Sequence, residues 1–164
     1  MNTRLLQNFG RVALATVLAL SFAQSATAQS KDREGSAPQL VGTWSVKVQI
    51  VDCSNGNLLG PPFASLLSFA RGGTLTEATS NPNFFPAERS PGHGTWSTGK
   101  TASHAATVAF VTLNGALQST QVIRQNIQMG SSNDFSSTAT VQFFDPNGNL
   151  LKSGCATAAG QRFK

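Results

Sequence analysis

The sequence predicts an all-β fold, an eight-stranded antiparallel up-and-down barrel closed by its first and last strands. Three observations predict it. Residues 42–51, GTWSVKVQIV, place Trp44, Val46, Val48 and Ile50 on one side and Lys47 and Gln49 on the other. That period of two marks a strand with one buried face. Seven further short segments follow, each joined to the next by a turn, with no helical period between them. Finally, the two cysteines, Cys53 and Cys155, stand 102 residues apart, beside the first and the last of these segments.

The strands follow in order. After Ser54-Asn55-Gly56-Asn57 and Gly60-Pro61-Pro62, a second strand is expected over Phe63–Ala70, with Phe63, Leu67 and Phe69 in phase. Arg71-Gly72-Gly73 turns it into Thr74–Thr79. The longest loop, Ser80–Gly92, carries Pro82, Pro86, Pro91 and the pair Phe84-Phe85. A fourth strand, Gly94–Ser97, repeats GTWS; in a meander it runs opposite to the first, which argues against an internal duplication. Ala105–Leu113 follows, with Val108 and Phe110 read as its inward face, and Asn114-Gly115 is a strong hairpin signal. Gln121–Met129, Phe135–Phe144 and Leu150–Phe163 complete the set, the last two separated by Asp145-Pro146-Asn147-Gly148.

The cysteines suggest closure. If Cys53 faces Cys155 in an antiparallel pair, Val46 faces Arg162 and Trp44 faces Lys164, so the outer strands match over their full lengths. Neighbouring first and last strands close a meander and remove both edges. A Greek-key sandwich is the alternative, because turns alone do not prove nearest-neighbour order. A bridge over so long a loop contributes ~4–5 kcal/mol by chain entropy.

Composition bounds the rest. Residues 1–28 read as a signal peptide: Arg4 and Arg11, an apolar run over Val12–Phe22, and the small-x-small site Ala26-Thr27-Ala28. Cleavage there places the cysteines where disulfides persist, in the periplasm or outside the cell, with no membrane association afterwards. Residues 29–38 are polar and without period, a disordered lead-in. Residues 39–164 then form a single barrel domain. Without the two signal arginines, ten basic residues stand against seven acidic, scattered singly. A nucleic-acid partner needs a clustered basic stripe, so none is expected.

Chemistry-bearing residues are few. His93 and His104 are the only imidazoles, and Glu77 shares the inward parity of Leu75, where it would pair with a basic residue such as Arg124 or act as a general acid or base. Nothing spells a Ser-His-Asp set, paired inward carboxylates, a metal site or a cofactor motif. An enzyme built on Glu77 or His93 is therefore the least favoured of three readings. Small residues on the last strand's inward face (Ala156, Ala158, Gly160) leave room inside the barrel. The expected ligand walls are Phe63, Leu67, Phe69, Trp96 and Phe110. Phe84 and Phe85 are placed over the mouth, since consecutive residues of an extended loop cannot both point inward. The same loop serves the second reading, a protein-interaction module.

Gly42 and Trp44 opening the first strand, with Arg162 near the end on the same face as Trp44 and diagonal to it, resemble the lipocalin and wider calycin group. The compact length also looks like avidin-type and small bacterial protease-inhibitor barrels, although the row of tryptophans that lines an avidin-type pocket is missing. The resemblance implies a cup closed by a cation–π contact between Arg162 and Trp44, open at the other end, that binds a small apolar molecule. For the alternative it implies an inhibitor of secreted enzymes.

Overall fold

Closure is observed. The computed structural model describes residues 39–164; the expected signal peptide (1–28) and lead-in (29–38) lie outside the described residues. Nine strands form one antiparallel sheet: β1 (Gly42–Val51), β2 (Phe63–Phe69), β3 (Thr74–Ser80), β4 (Glu88–Arg89), β5 (Gly92–Thr98), β6 (Ser103–Leu113), β7 (Ala116–Met129), β8 (Asp134–Phe144) and β9 (Leu150–Arg162). Consecutive strands pair around the barrel except at β4, which pairs with β6 alone while β3 pairs with β5, and β9 returns to β1. β4 and β5 both pair with β6, so they occupy one barrel position and the count around the barrel is eight.

Proline explains the break between β4 and β5. Pro91 has no N–H to give to a ladder. Ser90 compensates from the preceding position: its N–H donates to the Phe110 carbonyl (2.9 Å) and its hydroxyl accepts from the Phe110 N–H (2.9 Å). Both Phe110 backbone groups stay satisfied. The pairing of β3 with β5 stops at Glu77↔Gly92, so Ala78–Ser80 leave that neighbour as the chain heads into the 81–87 loop.

The register of β1 on β9 corrects the sequence reading by two residues. Trp44 faces Arg162, Val46 faces Gly160, and Val51 faces Cys155. The disulfide is present, with Cα atoms 5.2 Å apart, but Cys53 lies beyond the end of β1. There the chain has already begun to turn, because the Asp52 carboxylate accepts from the Ser54 hydroxyl (2.5 Å) and the Ser54 N–H (2.7 Å). Two residues is one full pleat, so every side chain keeps its face. Arg162 therefore lies directly across from Trp44 rather than diagonal to it.

A second correction concerns β6. Val108 and Phe110 point outward, 41% and 52% exposed, while Ala105, Thr107, Ala109 and Val111 face in. Both faces of this strand carry apolar residues, so alternation alone does not select one. Neighbours do: Trp96 pairs with Ala105, and a small residue opposite leaves the indole its space. The Asn114-Gly115 hairpin forms as expected, both residues at positive φ (51° and 78°), the combination of a type I′ turn. It carries β7 back from Ala116, five residues before the expected start.

One end of the barrel is filled. Trp44 is fully buried among Leu40, Phe69, Leu75, Trp96, Ile127 and Phe135. Burying one such aromatic contributes roughly 4–6 kcal/mol as an upper bound. Phe135 meets Trp44 edge-on, with ring centroids 5.0 Å apart. It does so by lying over Gly160, where an added Cβ would sit 2.2 Å from the Phe135 ring. Both indole N–H groups are satisfied by carbonyls, Trp44 donating to Leu40 (2.8 Å) and Trp96 to Ala70 (2.9 Å).

Candidate functional site

The opposite end holds a cavity of about 290 Å³. Its wall comes from β1, β2, β3, β7, β8 and β9, with the 81–84 segment at the entrance. Val46, Val48, Ile50, Phe63, Leu67, Ile123 and Val141 give an apolar lining. Ala156 and Ala158 contribute the small-residue wall read from the sequence; the space above Gly160 is taken by Phe135.

The predicted site residues divide into three groups. Phe63, Leu67 and Phe84 border the cavity. Phe69 and Trp96 are buried in the floor, packed edge-to-face at 5.7 Å, and support the cavity without lining it. Phe85 and Phe110 face away from it, Phe85 with 87% of its surface exposed. The loop splits its aromatic pair at the end of a 3₁₀ turn, not in the extended segment read from the sequence. The Asn81 side chain caps the single 3₁₀ turn Pro82–Phe84 by accepting the Asn83 N–H (3.0 Å), and Phe84 packs against Phe143 at 6.3 Å. Lys152 also lies over Phe143, its Nζ 4.6 Å from the ring centroid. Cys155 also lines the cavity, which brings the disulfide to its entrance.

At the closed end, Arg162 sits 4.3 Å from the Trp44 ring, the geometry of a cation–π contact. Its guanidinium donates to the carbonyls of Val41 (2.8 Å), Ser132 (2.9 Å) and Gln39. Gly42, at φ +130°, passes so close that an added Cβ would lie 2.7 Å from Arg162 Nη1. Glycine, tryptophan and arginine therefore form one constellation: the glycine admits the guanidinium that covers the indole.

Sequence reasoning missed the most polar part of the interior. Glu77 is buried and inward as its parity predicts, but Arg89, not Arg124, is its partner (3.0 Å). Arg124 lies on the outer face and donates to Gln142 (2.9 Å). Arg89 also donates through Nε to Gln121 Oε1 (2.5 Å), and Thr107 donates to the same Glu77 oxygen (3.1 Å). The signal for Arg89 was concealed by the proline-rich segment, because a two-residue strand has no period. Ser65, Gln121, Gln125 and Ser137 are likewise buried and border the cavity.

The imidazoles stand apart from this network. His93 is exposed on the outer face, and His104 Nδ1 is 2.7 Å from Asn126 Oδ1, also outside. Glu77 borders the cavity and His93 does not, so the two are not assembled. Among the described residues no cluster of three or more His, Cys, Asp or Glu is grouped as a metal site, and no helix is long and apolar enough to cross a membrane. No protein-family model and no curated protein sequence matches this chain.

Proposed function

We propose that this protein is an exported, lipocalin-like barrel of the periplasm or external medium that takes a small, mainly apolar molecule into its cavity. One observation carries the reading. The barrel is plugged at one end by Trp44, Phe135 and Arg162, yet keeps about 290 Å³ of lined space at the other. Barrels of this strand number either fill with side chains or hold one ligand, and small residues on β9 favour the second. A volume near 300 Å³ lies at the lower end of small-molecule sites. The disulfide fits a protein that works in an oxidising compartment.

Native mass spectrometry of the purified protein tests this, with extraction and identification of any molecule carried along. Ala156→Trp, which projects an indole into the cavity, is expected to abolish both the adduct and uptake of added ligand while the barrel stays folded. Uptake unchanged in that variant would dismiss the reading.

A second reading, a protein-interaction module such as an inhibitor of secreted enzymes, draws on exposed apolar side chains in the connections and at the start of β9 at the cavity end. Leu58, Leu59, Phe85, Leu150 and Leu151 are all more than half exposed. Replacing Phe85 and Leu150 by Ser separates the two. It removes a protein contact made by these residues and leaves small-molecule uptake intact.

A further inference from the structure

We propose that the cavity selects a neutral amphiphile held head-down, its hydrogen-bonding group at the floor and its hydrocarbon toward the mouth. The inference rests on the cavity-binding reading and adds the chemistry and orientation of the ligand. Its basis is the order of residues along each strand. Leu75, Ile127 and Phe135 belong to the apolar floor. The next inward position on each strand is Glu77, Gln125 and Ser137, all at least nine-tenths buried and all bordering the cavity. Toward the entrance the apolar lining is Ile50, Phe63, Phe84 and Phe143, with Asn81, Asn83 and Lys152 beside them at the rim. An apolar belt therefore lies above a buried polar level, so a ligand can set its head group at that level with its hydrocarbon against the belt.

These deep polar groups have unused capacity. Arg89 and Thr107 both bond Glu77 through Oε2, which leaves Oε1 without a protein partner among the described residues. Farther toward the mouth, opposite Phe143, Gln121 spends its oxygen on Arg89 and keeps its amide N–H groups. The Gln125 amide and the Ser137 hydroxyl make no side-chain hydrogen bond to the described residues. Fully buried side-chain nitrogens and oxygens among the described residues all have partners, so these unpaired atoms border open space. Leaving such atoms facing hydrocarbon is costly, whereas a ligand that pairs them is favoured.

Charge narrows the head group. The carboxylate of Glu77 is matched by the Arg89 guanidinium at 3.0 Å, so the floor carries no net charge to hold an ion. Free donors (Gln125, Ser137) and free acceptors (Glu77, Gln125, Ser137) share the level next to the apolar floor. A head group that both donates and accepts, a primary amide or a hydroxyl, satisfies both kinds. The cavity equals roughly ten waters at ~30 Å³ each, which sets a ligand of about that many non-hydrogen atoms.

Four probes of that size decide the matter by isothermal titration: octanamide, octyl methyl ether, octanoate and nonylammonium. Octanamide is expected to bind about tenfold tighter than the ether, which lacks a donor, and tighter than either ion. Gln125→Leu with Ser137→Ala is expected to erase that preference, and near-UV circular dichroism checks that the floor tryptophans stay packed. In the unmodified protein, nuclear Overhauser contacts should join the terminal methyl of octanamide to Phe84 and Phe143. Equal binding of amide and ether overturns the proposal, as do methyl contacts to Phe135. Octanoate binding best, through Lys152 at the mouth, also overturns it. Binding of none of the four removes the cavity reading itself, a result distinct from binding without preference.

Discussion

Arg162→Ala is the substitution from which the closed end of the barrel has most to lose. The guanidinium covers Trp44 at 4.3 Å and donates to the carbonyls of Val41, Ser132 and Gln39. A cation–π contact of this kind contributes ~0.5–2 kcal/mol according to its burial. The Val41 carbonyl is partly buried and adds about 1–1.5 kcal/mol, while the other two, being exposed, regain water and add a few tenths each. The loss is therefore expected to be about 3 kcal/mol. Arg162→Lys keeps a cation over the ring but not the three-way fork, and should recover roughly half. Equilibrium urea unfolding measures both, with an unchanged slope as the check that compactness is preserved. Gly42 supplies an internal control, because its missing Cβ is what admits the guanidinium. Gly42→Ala should cost distinctly less in the Arg162→Ala background than alone, since the collision partner is gone and only strain at φ +130° remains. A cost below ~0.5 kcal/mol for Arg162→Ala, or strict additivity of the pair, would refute the constellation.

Three other outcomes are expected. Replacing Cys53 and Cys155 by Ser should lower stability to urea unfolding by ~4–5 kcal/mol, because the bridge closes a separation of 102 residues. Phe84→Ser should weaken ligand uptake measured by titration, since Phe84 borders the cavity and packs on Phe143; Phe85→Ser should change neither uptake nor stability by more than ~0.5 kcal/mol. The Ser54 hydroxyl and N–H hold the Asp52 carboxyl below the usual aspartate range, and the Asn149 side chain and N–H do the same for Asp145. A lowered folded pKa gives stability that is complete above the ordinary aspartate value and is lost as pH falls through the folded one. Ser54→Ala should move the Asp52 titration midpoint upward in carboxyl NMR and flatten that part of the acid limb.

Much of the barrel could be read because turn chemistry and alternation agreed. The bounds of 42–51 are legible because Trp44, Val46 and Val48 alternate with more exposed neighbours. Asn114-Gly115 needed only its own two residues to be recognised. The cysteine pair implies closure with a register two residues from the observed one, an offset that preserves parity and so leaves the faces intact. Where both faces of a strand are apolar, as at Val108 and Phe110, the outcome is decided by a neighbour such as Trp96, which no local pattern contains. The interior charge was half visible: Glu77 had the right parity, but its partner Arg89 comes from a two-residue strand behind the proline segment. Gln121, Gln125 and Ser137 looked like ordinary polar residues in strands and became cavity groups only once the barrel closed around them.

The seam between β1 and β9 also decides how the molecule can be handled. Phe163 N–H bonds the Thr43 carbonyl, and Arg162 reaches back to Val41, so positions 39 and 164 emerge side by side beneath the plugged base. A fluorophore or immobilisation handle joined at Lys164 hangs from the underside of the cup. The rim, with Phe84 and Lys152, stays clear for whatever comes to it from solution.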